Sequence, residues 1–310
     1  MQSGWKQFLK RRFASASEYY CLGIHFYHNG LSISAFKTNG DQPLWVMQHS
    51  IPSENWQSEL EDWVKQNKLS NTPTYVFLAN DRYEMVQVDK PTVAEEEIAQ
   101  ALRWSVEDLV SMDGDLVVDY FELPAQPTGA NKINVVVTKA QTVQDISKGV
   151  LESELDLRQI SVAELATCDL LYGYDEPCVS IVQEAGLDIY LNIVKDGQLY
   201  FSRRLRGYDN IKSFSPEELK MGSIDNLTLE VQRSMDYFES QLRQAAIRKI
   251  VVNIDSPHVD VICDIMRDLT LVDVEPLTYT FDVDDAIPMK TVFHCSLAAA
   301  ASNKLIEGDV

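Results

Sequence analysis

Between residues 19 and 37 apolar and polar positions alternate, interrupted only by Asn29–Gly30. A period of two broken by Asn-Gly predicts a β-hairpin. Residues 43–51, PLWVMQHSI, continue as a third strand. The period then lengthens. In SENWQSELEDWVKQNKL, Trp56, Leu60, Trp63 and Val64 share a helical face, with Ser53 placed as the N-cap. Short strands are expected at 74–80 and 83–89. A second helical stripe follows, Ile98, Ala101, Leu102, Val106 and Leu109, opened by Thr92 and Glu95 at capping-box spacing. Strands at 115–123 and 132–140 flank a Pro/Gly loop at 124–131. A helix at 141–153, a strand at 157–161 and a helix at 162–172 complete the first half. GYDEP, 173–177, reads as a turn and a domain boundary.

The second half starts in the same way. CVSIVQ and LDIYLNIVKDGQLYFSRRL predict strands, two of them joined at Asp196–Gly197. A long helix is expected over 223–246, with Leu227, Val231, Met235, Phe238 and Leu242 on one side. Then come a strand at 249–254, a helix with Ser256 as N-cap and Pro257 at its first position, a strand at 271–275 and a closing helix. Gly30 and Gly197 stand 167 residues apart (197 − 30), about half the chain, so the pattern predicts an internally duplicated α/β protein.

Composition narrows the classes. A 310-residue chain with 45% hydrophobic and 24% charged residues can bury a large core. The net charge of -20 opposes nucleic-acid binding, which depends on Lys and Arg neutralising phosphates. No apolar run is long enough to span a membrane, and the first residues lack the apolar core of a secretory signal. The five cysteines are scattered and odd in number, the pattern of reduced thiols in a cytoplasm. Residues 1–13 run against the acidity, carrying Lys6, Lys10, Arg11 and Arg12 and no acid. Trp5, Phe8, Leu9 and Phe13 form one helical stripe there. A basic amphipathic segment of this kind suits an anionic membrane surface, with local packing on the chain's own body as the alternative.

The chemistry of known motifs is missing: the sequence has no G-x-x-x-x-G-K-[ST], G-x-G-x-x-G, H-E-x-x-H or G-x-S-x-G. Cys21, His25 and His28 lie close together, yet on one strand Cys21, His25 and Tyr27 point one way and His28 the other. No metal site is expected from them.

Several stretches, in this order and spacing, resemble a known family: YYCLGIHFYHNGLSISAF, VDKPTVAEEEIAQALRWSVEDLVSMDGDLVVDYFEL, INVVVTKAQTVQDI, LNIVKDGQLYFSRRLRG, LEVQRSMDYFESQL and FHCSLAAAA. Together they resemble the PilM family, cytoplasmic actin-like proteins of type IV pilus assembly, and most of all its MshI branch from the mannose-sensitive haemagglutinin (MSHA) pilus. The resemblance covers nearly the whole chain. It implies a duplicated actin-like ATPase (ribonuclease H-like) α/β fold with an inserted FtsA-like subdomain. The segments would be a basic N-terminal segment, 1–18; a first domain, 19–172, with the insertion at about 82–130; a second domain, 173–287; and a helix, 288–310, returning to the first domain.

In actin-like ATPases the two hairpins grip the nucleotide phosphates, using glycine for close approach and an Asp in each for metal-bound water. The resemblance aligns the family's Gly-Ile-Asp-Ile-Gly with GIHFY: Gly23 is kept, His25 replaces the Asp and Tyr27 the glycine. In the second hairpin Gln183 replaces the Asp and Ala185 the glycine, beside Gly186. At the adenosine pocket Asp255 and Ser256 stand where the family has Gly-Gly. Loss of both carboxylates removes the usual hold on Mg²⁺ and several kcal/mol of transition-state stabilisation. The expectation is a pseudo-ATPase with no cofactor and no catalytic residue. It would dock the tail of a PilN-like single-span protein at the cytoplasmic face of the inner membrane, with Trp104, off its helix's apolar stripe, as a contact. The alternative is a working ATPase whose nucleotide state switches partner affinity.

Overall fold

In the computed structural model, residues 17–287 are described apart from 41, 172, 173, 175, 185 and 280. The expected N-terminal segment, Ala185 and the closing helix therefore lie outside the described residues. The first hairpin is β1 (Cys21–Tyr27) and β2 (Gly30–Asn39), followed by β3 (Gln42–Pro52). A Cβ on Gly30 would stand 2.2 Å from the Ile51 carbonyl oxygen, so only glycine lets β3 pass this close to the turn. Helix α1 (Trp56–Gln66) leads to β4 (Pro73–Leu78). The N-cap of α1 is Asn55 in the left-handed region, two residues beyond the expected Ser53.

The chain then builds a small unit from β5 (Glu84–Asp89), α2 (Glu95–Val106), β6 (Leu116–Glu122) and β7 (Lys132–Lys139). Its sheet order is β5-β7-β6, so β7 is the central strand. The unit therefore runs past the expected limit near 130, because β5 and β6 pair with β7 and not with each other. Ile98, Leu102 and Val106 of α2 pack on Ile133, Val135 and Val137. The expected Thr92–Glu95 capping box is not formed: the N-cap is Ala94 and has no side-chain bond. Because the helix stops at Val106, Leu109 leaves the buried stripe and is exposed.

Helix α3 (Ala140–Glu152), β8 (Asp156–Val162) and α4 (Ala163–Leu170) return to the first sheet. The second half holds β9 (Cys178–Gln183), β10 (Ile189–Lys195), β11 (Gln198–Leu205), α5 (Asp225–Ser240), β12 (Lys249–Asn253), α6 (Val259–Thr270) and β13 (Asp273–Pro276). Helix α5 is shorter than its apolar stripe, yet all five stripe residues are buried. His258, not Ser256, occupies the N-cap of α6.

Duplication is visible in the topology. The first sheet contains β3-β2-β1-β4-β8 and the second β11-β10-β9-β12-β13. In each, three antiparallel strands are followed by two parallel ones. β1 thus corresponds to β9, and the helices α1 and α3 to α5 and α6. The last described stretch crosses back. β14 (Asp282–Val283) pairs with β3, and Phe281 and Ile287 are buried with Phe36, Trp45 and Phe77 of the first sheet. Tyr279, Phe281, Val283 and Ile287, expected in the second domain, therefore pack on the first, where Phe281 meets Phe36 edge-on at 5.3 Å.

Candidate functional site

In open α/β sheets, ligand sites lie at the carboxyl ends of the parallel strands, where strand order reverses. Here those ends belong to β1 and β9. Alternation along β1 sends Leu22, Ile24 and Phe26 into the core against α1 and α3. The opposite face carries Cys21, which is fully buried, and His25, 1% exposed. Leaving the strand, His28 is exposed, with Nδ1 3.5 Å from Asp81 Oδ2. Among the described residues no group of three metal-ligating side chains converges.

His25 reaches across to the second half. Its Nε2 stands 3.2 Å from Oε1 of Glu184, the residue after β9. Neither ring nitrogen has a conventional hydrogen-bond partner, so this approach is the main polar contact of a buried imidazole. Arg82 frames the same carboxylate. Burial lowers its pKa, opposed by the charges of Asp81 and Glu184, and its Nη2 donates to the Tyr27 carbonyl at 2.5 Å. The Tyr27 ring lies 5.9 Å from His25, in the space where the family resemblance places a phosphate-loop glycine.

Gln183, the last residue of β9, is 4% exposed and lies in phase with Val179 and Ile181, which face α5 and α6. Its Nε2 donates to the Leu187 carbonyl at 2.9 Å and the Tyr208 carbonyl at 2.8 Å. These bonds need an amide donor; a carboxylate there would face two carbonyl oxygens. Gly186 takes φ +73° in the turn that Gln183 closes. At the end of β12, Asp255 is buried and pairs with Lys212 Nζ at 3.2 Å. Ser256 Oγ accepts the His258 N–H at 3.2 Å. Gly23 stays inside the sheet, paired with Ser34 and Tyr75.

Beside the His25 contact lies a buried polar cluster. Glu164 of α4 accepts from the Tyr83 hydroxyl and, at 3.0 Å, from Asn80 Nδ2. Burial pushes the Glu164 carboxyl above its ordinary pKa, against the lowering pull of these donors. Tyr190 on β10 is pushed up to about 12, chiefly by desolvation.

Of the residues singled out in the sequence, His25 and Tyr27 lie together at the end of β1, Gln183 ends β9, and Asp255 lies at the end of the strand beside β9. It missed Glu184, Arg82, Tyr83, Glu164 and Lys212. The only signal for Glu184 was its place directly after Gln183. Trp104 belongs elsewhere, exposed on α2. At the positions that the resemblance aligns with the two hairpin carboxylates stand His25 and Gln183, and Asp255 is paired with Lys212.

No family model and no curated protein matches the sequence. Solved structures do match in fold. The structure described as a PilM-PilN type IV pilus biogenesis complex aligns with TM-score 0.63 and 14% identity, over 92% of this chain and 98% of that one. A Bacteroides thetaiotaomicron protein with an actin-like ATPase fold aligns with TM-score 0.50 and 12% identity, over 93% and 98%. The cytoplasmic domain of EpsL, an inner-membrane component of the Vibrio cholerae type II secretion system, aligns with TM-score 0.49 and 11% identity, over 89% and 93%. The chain has the actin-like ATPase fold.

Proposed function

We propose that this protein is a non-catalytic, actin-like scaffold of a type IV pilus assembly platform, of the MSHA type, that docks the cytoplasmic tail of a PilN-like single-span membrane protein. The observation that carries the loss of catalysis is His25: a buried imidazole stands where the family resemblance places the carboxylate of the first hairpin. The His25–Glu184 contact supports the same reading, since protein groups from the two halves already meet there. The partner is suggested by the likeness in fold to the chain of the PilM-PilN complex, over nearly the full length of both.

The protein works at the cytoplasmic face of the inner membrane, as a peripheral component. Among the described residues no helix is long and apolar enough to cross a bilayer. The basic stripe of residues 1–13, with Trp5, Phe8, Lys10, Arg11 and Arg12, supplies membrane contact.

Isothermal titration with Mg-ATP tests the catalytic half: no heat of binding and no phosphate release are expected, whereas micromolar affinity or Mg-dependent turnover would return the protein to the working ATPases. A pull-down from solubilised membranes with the full chain as bait tests the docking half. It is expected to recover a single-span protein with a short cytoplasmic tail.

A further inference from the structure

A cavity of about 450 Å³ lies where the small unit leans on the second half. One wall is β5, with Met85 and Val86, and the loop 123–131 that leads into β7. The other is β11 and α5, with Tyr200, Phe201, Ser202 and Tyr237. Ala125 of the loop packs on the core of the second half. Gln126 pins the loop to β7: its Oε1 accepts the Lys132 N–H at 2.5 Å, and its Nε2 donates to the Lys132 carbonyl at 2.9 Å. Both walls are therefore held in place by the protein itself. Size, position between two units and a mainly apolar lining are those of a small-molecule site. The cavity shares no described residue with the His25–Glu184 contact.

The lining selects the chemistry. Phe201 and Tyr237, with ring centroids 5.2 Å apart, offer aromatic surface to a flat ring. The polar groups gather on one strand. Lys132 and Asn134 are two residues apart on β7, on the same face and about 7 Å from one another. Asn134 is 7% exposed, and its Oδ1 accepts a long bond from Gln87 Nε2 at 3.4 Å. Its Nδ2 makes no hydrogen bond among the described residues, which leaves a buried donor on the cavity without an acceptor. Lys132 is the single charged residue among the described lining, and its pairing with Asp89 is loose, at 4.0 Å in solvent. No acid is among those lining residues, in a chain with 47 acids and 27 bases.

We infer that this cavity binds a small ring compound with one negative charge, an aromatic carboxylate or sulfonate. Its ring lies among Tyr200, Phe201 and Tyr237. Its acidic head accepts the Asn134 Nδ2 hydrogen bond and meets the Lys132 charge. A single lysine suits one negative charge and not a triphosphate. The ligand touches both walls, so its binding ties the small unit to the second half.

The test titrates the full chain with 1-anilinonaphthalene-8-sulfonate and reads its fluorescence. N-phenyl-1-naphthylamine, the same rings without the sulfonate, is titrated in parallel. Saturable binding of the sulfonate to the wild type is expected. Lys132→Gln should weaken the sulfonate about 5-fold and leave the neutral probe unchanged. Asn134→Leu, similar in volume but lacking the donor, should weaken the sulfonate about 10-fold. Ser202→Trp and Ala130→Trp fill the cavity from opposite walls, and each should abolish binding of both probes. Circular dichroism shows which filled variants keep the fold, and Lys132→Gln, at a half-exposed position, decides the matter if neither does. Wild-type affinity in a folded filled variant overturns the inference. So does an equal loss of both probes in Lys132→Gln, displacement of the sulfonate by Mg-ATP, or no sulfonate binding to the wild type.

Discussion

Gln183 shows how one atom type decides a turn. Its buried amide ties the turn after β9 to the Leu187 and Tyr208 carbonyls. Gln183→Glu preserves the shape but sets a buried carboxylate against two carbonyl oxygens, and should cost about 3 kcal/mol. Urea denaturation at neutral pH measures this; an unchanged midpoint would show that the turn is held by other contacts. Glu164 gives a pH-dependent counterpart. Burial raises its carboxyl pKa in the folded state, so ionisation opposes folding. The stability is full below the unfolded pKa and is lost as pH rises through the folded one. Glu164→Gln should therefore melt about 2 °C or more above the wild type at pH 7.5. The gap should close as pH falls into the usual carboxylate range, and a variant less stable at every pH would refute the sign.

At the scale of elements, packing between helices overrules their local signals. Gly149 of α3 lies against Trp56 of α1: an added Cβ would stand 2.3 Å from the indole Cη2. Gly149→Ala should destabilise the protein by about 2 kcal/mol through overpacking, and Trp56→Leu in the same chain should restore part of it. Additive losses in the thermal melts of the double variant would mean that the two residues do not share this contact. The same dominance of tertiary over local terms explains the missed caps. Ser53 and Thr92 have the right residue type, but α1 begins after Asn55 and α2 after Ala94, where the packed faces start. The Asn29–Gly30 and Asp196–Gly197 hairpins were legible because turn and alternation lie within a few residues. The centrality of β7 was not, because it rests on partners far away in sequence.

At the scale of the whole molecule, the described chain ends by closing back on its first sheet. Phe281 is buried against Phe36, Trp45 and Tyr279. Phe281→Ala should cost about 3 kcal/mol. Limited proteolysis should then cut within 277–287 before the rest of the chain; wild-type cleavage kinetics would show that the return strand is held independently. The N-terminal segment belongs to this scale as well. Deleting residues 1–13 should reduce co-sedimentation with anionic vesicles, more at low salt than at high salt. Equal co-sedimentation would reduce the segment to local packing.

Alternation, helical periodicity and turn residues are short-range properties, and from them the sequence by itself determined the hairpins, most helices and the duplicated α/β order. It also determined the identities of His25, Tyr27, Gln183 and Asp255, because chemistry is written in residue type. Only the tertiary structure decided what these side chains do: His25 meets Glu184 across the cleft, Gln183 binds two carbonyls, and Asp255 takes Lys212. It also decided that β7 is central in its sheet, that β6 is an edge strand among the described residues, and that Trp104 is exposed on α2. Those contacts join residues from separate stretches of chain, and no local pattern encodes which distant group will fill a given space.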